Sequence, residues 1–372
     1  MTMTSTAAKN PLVNLQQFGQ SVWLDYIRRS LMTSGELQRS IEEDGLRGVT
    51  SNPAIFEKAI AGSTDYDDVL DRPSSSDVAP KQLYEEIAIA DVQAAADVLA
   101  PVYVESRRRD GYVSLEVSPL LANDLQGTLQ EARRLWTAVS RLNVMIKVPA
   151  TAAGIIAVRH LIANGINVNV TLLFSQAMYQ RVAEAYLTGL EDRIARGEVI
   201  DGIASVASFF VSRIDTAVEA AAAENPAVRP LTGRVAIANA KLAYERYQQL
   251  IDGPRWKALA ARGAQTQRLL WASTSSKNPG LSDVLYVEEL IGEDTVNTIP
   301  PATFSAFRDH GRVAATLTAD LDAARGTLQE LDRAGVSIDD ITDRLLEEGI
   351  NQFVSAFDRL LAATAIRAKS KG

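Results

Sequence analysis

Cysteine is missing from all 372 residues. Its absence rules out disulfides, thiolate metal sites and thiol nucleophiles, and it fits a reducing compartment. Histidine is scarce, with only His160 and His310, which leaves too little imidazole for a His-rich metal site or a histidine-centred triad. His160 lies in the helical run AAGIIAVRHLIANGI and His310 in the polar FRDHGR, so both read as surface residues. Acid-base work is left to carboxylates and lysine. No stretch is strongly basic: a formal net charge of −8 comes with acidic and basic residues mixed along the chain, which offers no concentrated field to nucleic acid or an anionic membrane. No apolar run approaches the roughly 20 residues of a membrane span, and the start MTMTSTAAKN lacks the apolar centre of a signal peptide. The expectation is a cytoplasmic protein with neither nucleic acid nor membrane as partner. The sequon Asn169-Val170-Thr171 would matter only in a secreted chain. Two nucleotide fingerprints are absent as well, G-x-G-x-x-G after the first strand and G-x-x-x-x-G-K-[ST] anywhere.

What the chain does contain is an alternation of short apolar runs and longer helical patterns. The runs are Ser21–Asp25, Gly48–Ser51, Tyr112–Val117, Val144–Pro149, Asn167–Leu173, Ala204–Phe210, Arg268–Ser273 and Thr295–Pro300. Helical stretches fill most of the gaps, such as SGELQRSIEEDG and FSQAMYQRVAEAYLTGLEDRI, the latter with Ser175 as its expected N-cap. Eight βα units predict a (β/α)8 TIM barrel, with a doubly wound open sheet as the rival. At 47% hydrophobic content the chain can bury a core of that size, and it is read as one domain over 1–372. Residues 1–20 are an N-terminal extension, the acidic Ser/Pro-rich stretch 61–80 is a surface loop, and 340–368 is a C-terminal helix packing on the barrel. ENPAVRPLTG reads as a second excursion, after the sixth strand.

Active sites of such barrels gather at the C-terminal strand ends, and polar residues stand at nearly every one here. The first strand ends in Asp25, the second leads to Thr50 and Asn52, and the third holds Glu116. The fourth holds Lys147, the fifth Asn169 and Thr171, the sixth Ser208 followed by Arg213, and the seventh Ser273 followed by Lys277. Each alone has a structural explanation: a cap, a turn, an ion pair, or a lysine snorkelling from a strand end. Lys147 is the hardest to dismiss, since NVMIKVPAT otherwise looks built for burial, and burial lowers a lysine pKa by up to about 3–5 units from about 10.4. A desolvated amine of that kind condenses with carbonyls, and the iminium it forms draws electrons from the adjacent C–C bond.

Six stretches in order, LDYIRRS, GVTSNPAIF, VSLEVSP, MIKVPAT, GINVNVTLLFS and SFFVSRID, closely resemble the motifs of the transaldolase family, and weaker similarity continues through WASTSSKNP. The resemblance implies a (β/α)8 barrel of the pentose phosphate pathway. Such an enzyme transfers a dihydroxyacetone unit from sedoheptulose 7-phosphate to glyceraldehyde 3-phosphate, giving erythrose 4-phosphate and fructose 6-phosphate. It further implies no metal or organic cofactor and sugar phosphates as partners. By motif position, Lys147 is the Schiff-base lysine, Asp25 the acid/base of cleavage, and Glu116 the group that activates a water held with Thr171. Thr50, Asn52, Asn169 and Ser208 orient substrate hydroxyls, and Phe210 lines the pocket. Arg213 matches the first of two phosphate-binding arginines; at the second position only Lys277, near Ser273, is available. The alternatives are a fructose 6-phosphate aldolase-like lyase and a non-catalytic sugar-phosphate-binding barrel. A monomer and a homodimer fit equally.

Overall fold

The computed structural model describes residues 10–72 and 77–369. Eight parallel strands close on themselves in sequence order. They are β1 (Gln20–Asp25), β2 (Leu46–Thr50), β3 (Tyr112–Glu116), β4 (Val144–Pro149), β5 (Val168–Leu173), β6 (Ser205–Phe210), β7 (Arg268–Ala272) and β8 (Thr295–Ile299). All eight apolar runs are therefore strands, because a strand packed between barrel interior and helical shell must be apolar on both faces. The open-sheet alternative is excluded by the pairing of β1 with β8. Most boundaries move by one residue at most, and β2 moves furthest: it begins at Leu46 rather than Gly48, since Leu46 is buried and pairs with Val22, and Ser51 leaves the strand. Gly48 has a specific reason for lacking a side chain, because a Cβ there would lie 2.5 Å from the Trp23 indole inside the barrel.

Side chains of a strand alternate between faces, so Ser21, Trp23 and Asp25 of β1 share the inward face. At the N-terminal end of the barrel this face is closed by polar groups that satisfy one another. Arg268 pairs with Asp110 at 2.9 Å, and Asp110 also accepts from Ser21 Oγ and Trp23 Nε1. The opposite end carries the functional residues, and helix caps set its geometry. Asn52, Thr151 and Ser175 each stand two residues after a strand, and Asp124 follows β3 by way of the 3-10 turn Pro119–Leu121; all four accept a backbone N–H from the first turn of the following helix. Ser175 takes the N–H of Met178 at 3.0 Å, as expected of it. Such caps hold the strand-to-helix turns short, so the strand ends face the mouth directly.

The expectation about membrane-length stretches needs correction. The helix Pro80–Glu105 is long and apolar enough to cross a membrane by length and composition. Its apolar side is used inside the fold: Leu83, Ile87, Val92, Ala95 and Leu99 are buried in the core around the barrel. Interrupting charges such as Glu85, Glu86, Asp91 and Asp97 kept the run from standing out in the sequence.

Within 61–80, residues 73–76 lie outside the described residues, but the part before them is tied down. Tyr66 is fully buried and donates its hydroxyl to Asp91 at 2.7 Å, while Asp65 accepts from the backbone N–H of Ser30. Asp67–Leu70 forms a helical turn. These contacts anchor the segment to the chain just beyond Asp25. Of the N-terminal extension, residues 1–9 are outside the described residues; Leu12 and Leu15 are fully buried. The excursion after β6 contains a 3-10 stretch, Pro226–Leu231. The C-terminal helix runs Ile338–Lys369 and packs against the helix Pro53–Gly62, with Arg359 3.5 Å from Glu57, and against the helix Pro80–Glu105, with Phe357 edge-on to Tyr84. It thereby lies along the mouth of the barrel.

Candidate active site

Lys147 sits on the inward face of β4 with β3 and β5 on either side, in register with Glu116 and Asn169. The residue is 4% exposed. Its Nζ donates to the carbonyl oxygen of Ser51 at 3.1 Å and lies 3.5 Å from Glu116 Oε2. On its open side the Phe353 ring centroid is 5.9 Å away. The amine thus points inward and is held by two fixed groups rather than snorkelling out.

Two carboxyls share the field of this amine. Burial pushes Glu116 up to about 7, a rise that the nearby Lys147 charge opposes. Burial also raises Asp25, against the combined pull of Lys147, a hydrogen bond from Thr50 and the charge of Arg213. Thr50 Oγ1 donates to Asp25 Oδ1 at 2.8 Å and is itself 2.6 Å from Thr298 Oγ1. A carboxyl raised to about 7, as Glu116 is, is suited to passing protons in both directions.

A cavity of about 570 Å³ opens above the amine. Of the residues picked out in the sequence, Asp25, Thr50, Asn52, Lys147, Ser208, Phe210, Arg213, Ser273 and Lys277 all line it. Three others do not. Glu116 lies beside Lys147 on a separate narrow cleft with Tyr84 and Glu131. Asn169 is fully buried, donating to Ser114 Oγ at 3.0 Å and accepting from Ser208 Oγ at 2.6 Å. Thr171 is fully buried next to Leu172, whose φ of +59° marks an irregularity in the pairing of β5 with β6. Glu116 Oε2 and Thr171 Oγ1 are buried with no hydrogen-bond partner among the described residues. Asn52 divides its amide, with Oδ1 capping the helix Pro53–Gly62 through the N–H of Ile55. Only its Nδ2 is left to face the cavity.

At the rim, Arg213 stands in the first turn of the helix Ser212–Glu224. One of its terminal nitrogens, Nη1, is buried with no hydrogen-bond partner among the described residues, and its guanidinium stacks 5.3 Å from the Phe210 ring. Burial works against its charge, which Asp25 and Glu348 help to hold. A guanidinium beside a helix N-terminus suits an anion. Ser273, at φ +56°, exchanges a 2.9 Å contact with Ser212 Oγ, and Lys277 is exposed at the rim. Among the described residues no group of three or more His, Cys, Asp or Glu is arranged to hold a metal ion.

The cavity also takes in Tyr26, Lys58, Ser275, Thr298 and Phe353, which reading the sequence did not single out. Thr298 was findable, being polar on the last strand, one residue short of its end. Lys58 lies on the helix after β2, nearly two turns beyond its cap Asn52, where a cation has no distinctive spacing. Phe353 belongs to an apolar helical stripe that signals packing and nothing more.

Comparison with known proteins gives the family. The sequence profile of the family described as Transaldolase/Fructose-6-phosphate aldolase matches residues 22–364. The chain is 47% identical over 367 residues to "Transaldolase 2" of Nostoc sp., covering 95% of this chain and 96% of that one. It is 46% identical over 364 residues to a "Transaldolase" of Trichodesmium erythraeum, at 95% and 96% coverage. With the "Transaldolase" of Neisseria gonorrhoeae it shares 48% over 351 residues, covering 94% and 98%. A closed eight-stranded barrel, an inward lysine between two carboxyls, and near full-length identity of this order together place the chain in the transaldolase/fructose-6-phosphate aldolase family.

Proposed function

We propose that the protein is a transaldolase, a transferase of the pentose phosphate pathway that acts in the cytoplasm through a lysine Schiff base. It moves a dihydroxyacetone unit from sedoheptulose 7-phosphate to glyceraldehyde 3-phosphate and leaves erythrose 4-phosphate and fructose 6-phosphate. The observation that carries this reading is the buried Lys147 amine, 3.5 Å from Glu116 and opening onto a cavity that Asp25, Thr50, Ser208 and Arg213 also line.

In this mechanism the Lys147 amine attacks the ketose carbonyl, and Glu116 relays protons through a water that it shares with Thr171 while the carbinolamine loses water to become the iminium. Thr171 Oγ1, and Glu116 Oε2 apart from its ion pair with Lys147, are buried with no hydrogen-bond partner among the described residues, which supports that placement of the water. Asp25 then takes the proton from the hydroxyl two carbons away from the iminium carbon. The C–C bond breaks, its electron pair moves toward the iminium nitrogen, and the aldose phosphate departs. A new aldehyde adds by the reverse steps, with Asp25 returning its proton to the aldehyde oxygen. Thr50, Asn52 Nδ2 and Ser208 hold the hydroxyls of the three-carbon unit, Asn169 orients Ser208 from beneath the cavity, and Phe210 packs against the unit. No cofactor takes part in these steps.

Arg213 is assigned to the substrate phosphate, with Ser273 and Lys277 as weaker contributors. Charge-assisted hydrogen bonds to a phosphate contribute about 2–3 kcal/mol. Arg213→Ala is therefore expected to lower kcat/KM for phosphorylated sugars by about 30- to 150-fold. Lys277→Ala, removing an exposed charge, should cost less than about tenfold. Steady-state kinetics of both variants on fructose 6-phosphate check the ranking.

Glu116 also makes a stability prediction. Its folded-state pKa of about 7 lies above the ordinary 4.5, so the native state holds the proton more tightly than the unfolded chain. The resulting stabilisation is complete below pH 4.5 and is lost as pH rises to about 7. In Glu116→Gln that loss is absent. Thermal unfolding across this window should show the variant's Tm rising relative to wild type, and a constant difference would contradict the assignment.

Transfer is tested by supplying fructose 6-phosphate with erythrose 4-phosphate and following sedoheptulose 7-phosphate. Efficient formation is expected. Release of dihydroxyacetone in its place identifies a lyase, and no reaction identifies a binding protein.

A further inference from the structure

The C-terminal helix brings an aromatic ring to the reactive amine from a part of the chain that contributes no strand. Phe353 is 6% exposed, lines the same cavity as Lys147, and holds its ring centroid 5.9 Å from Nζ. The helix can approach this closely because residue 349 is glycine. A Cβ there would meet Leu172 at 2.9 Å and Arg213 Nη1 at 3.6 Å. The approach is fixed on the far side by Phe357 against Tyr84 and by Arg359 near Glu57. Around Nζ, the Ser51 carbonyl and Glu116 occupy polar positions; Phe353 supplies an apolar wall.

We infer that Phe353 is a positioning residue that decides between transfer and release by keeping water from the three-carbon unit while it is bound to Lys147. This inference rests on the imine reading above. After the aldose leaves, the unit is an enamine whose nucleophilic carbon is two bonds from Nζ. In transfer, that carbon's electron pair forms a bond to the incoming aldehyde carbon, and the aldehyde oxygen takes the proton from Asp25. In release, the same carbon takes a proton from water instead. A second water adds to the resulting iminium carbon, the C–N bond breaks, and dihydroxyacetone leaves with the amine regenerated. Hydrolysis uses the water held by Glu116 and Thr171, as product departure after transfer also does; the step peculiar to release is protonation of the carbon, and a ring on the open side of Nζ displaces the water that would supply that proton.

The test measures two products from one enzyme: dihydroxyacetone from fructose 6-phosphate alone, and sedoheptulose 7-phosphate when erythrose 4-phosphate is added. Phe353→Ala should raise the release-to-transfer ratio at least tenfold, while Phe353→Leu, which keeps an apolar wall, should stay within about threefold of wild type. A structural defect lowers both products together and leaves the ratio where it was. Should Phe353→Ala fail to fold, Phe353→Gln fills the same space with a polar group and is expected to raise the ratio likewise. An unchanged ratio in a folded Phe353→Ala or Phe353→Gln that still gives a borohydride-trapped Lys147 adduct overturns the inference and spares the imine. Absence of that adduct in the wild type overturns the imine reading, and the inference with it.

Discussion

Lys147→Ala is expected to lose at least about ten-thousandfold in turnover, the scale of removing a covalent nucleophile for which no other group substitutes. Ser51 offers only a carbonyl oxygen at this place and Glu116 only a carboxyl. The fold should survive the change. Removing one partner of a buried ion pair is costly when it strands a charge, but burial already drives Glu116 up to about 7, and the Lys147 charge is what opposes a further rise. Without the lysine, Glu116 keeps its proton at neutral pH and strands nothing. Far-UV circular dichroism and thermal unfolding beside a turnover assay check both halves; appreciable turnover in a folded variant contradicts the role.

Asp25→Asn is expected to lower kcat by about a hundred- to ten-thousandfold, the range for a removed general acid-base group, without preventing imine formation. The asparagine oxygen can still accept from Thr50 Oγ1, as Asp25 Oδ1 does at 2.8 Å, so the geometry is kept and only the proton acceptor is lost. Because Glu116 serves the earlier steps, the variant should accumulate an adduct that cannot cleave. Borohydride reduction of Asp25→Asn with fructose 6-phosphate should therefore trap a six-carbon sugar phosphate on the protein. Trapping of a three-carbon unit would show that cleavage proceeds without Asp25.

The barrel was readable because each strand is apolar on both faces and bounded by helical patterns, leaving eight separate runs. β2 was misplaced by two residues because Leu46 and Arg47 abut the end of a helix, Glu36–Asp44, where periodicity carries no boundary. Lys147 announced itself by a charge in an apolar run, Asp25 and Glu116 by ending their strands, and Asn169 as a polar residue inside one. What the sequence could not convey was depth. Strand position alone does not separate Ser208, which lines the cavity, from Asn169, which lies buried beneath it and bonded to Ser208. Nor does it reveal that Asn52 spends its oxygen on a helix cap. Phe353 was out of reach for a different reason. Its apolar spacing satisfies helix packing completely, and its second role arises from a helix crossing the mouth, a tertiary fact with no local signature.

The central claim is that the Lys147 amine forms an imine with the ketose. Incubating the wild-type protein with fructose 6-phosphate, reducing with borohydride and mapping peptides by mass spectrometry addresses it most directly. The account predicts a single reduced dihydroxyacetone adduct on the peptide containing Lys147. A protein that turns over its substrate yet gives no adduct, or carries it on another lysine such as Lys58 or Lys277, would contradict it.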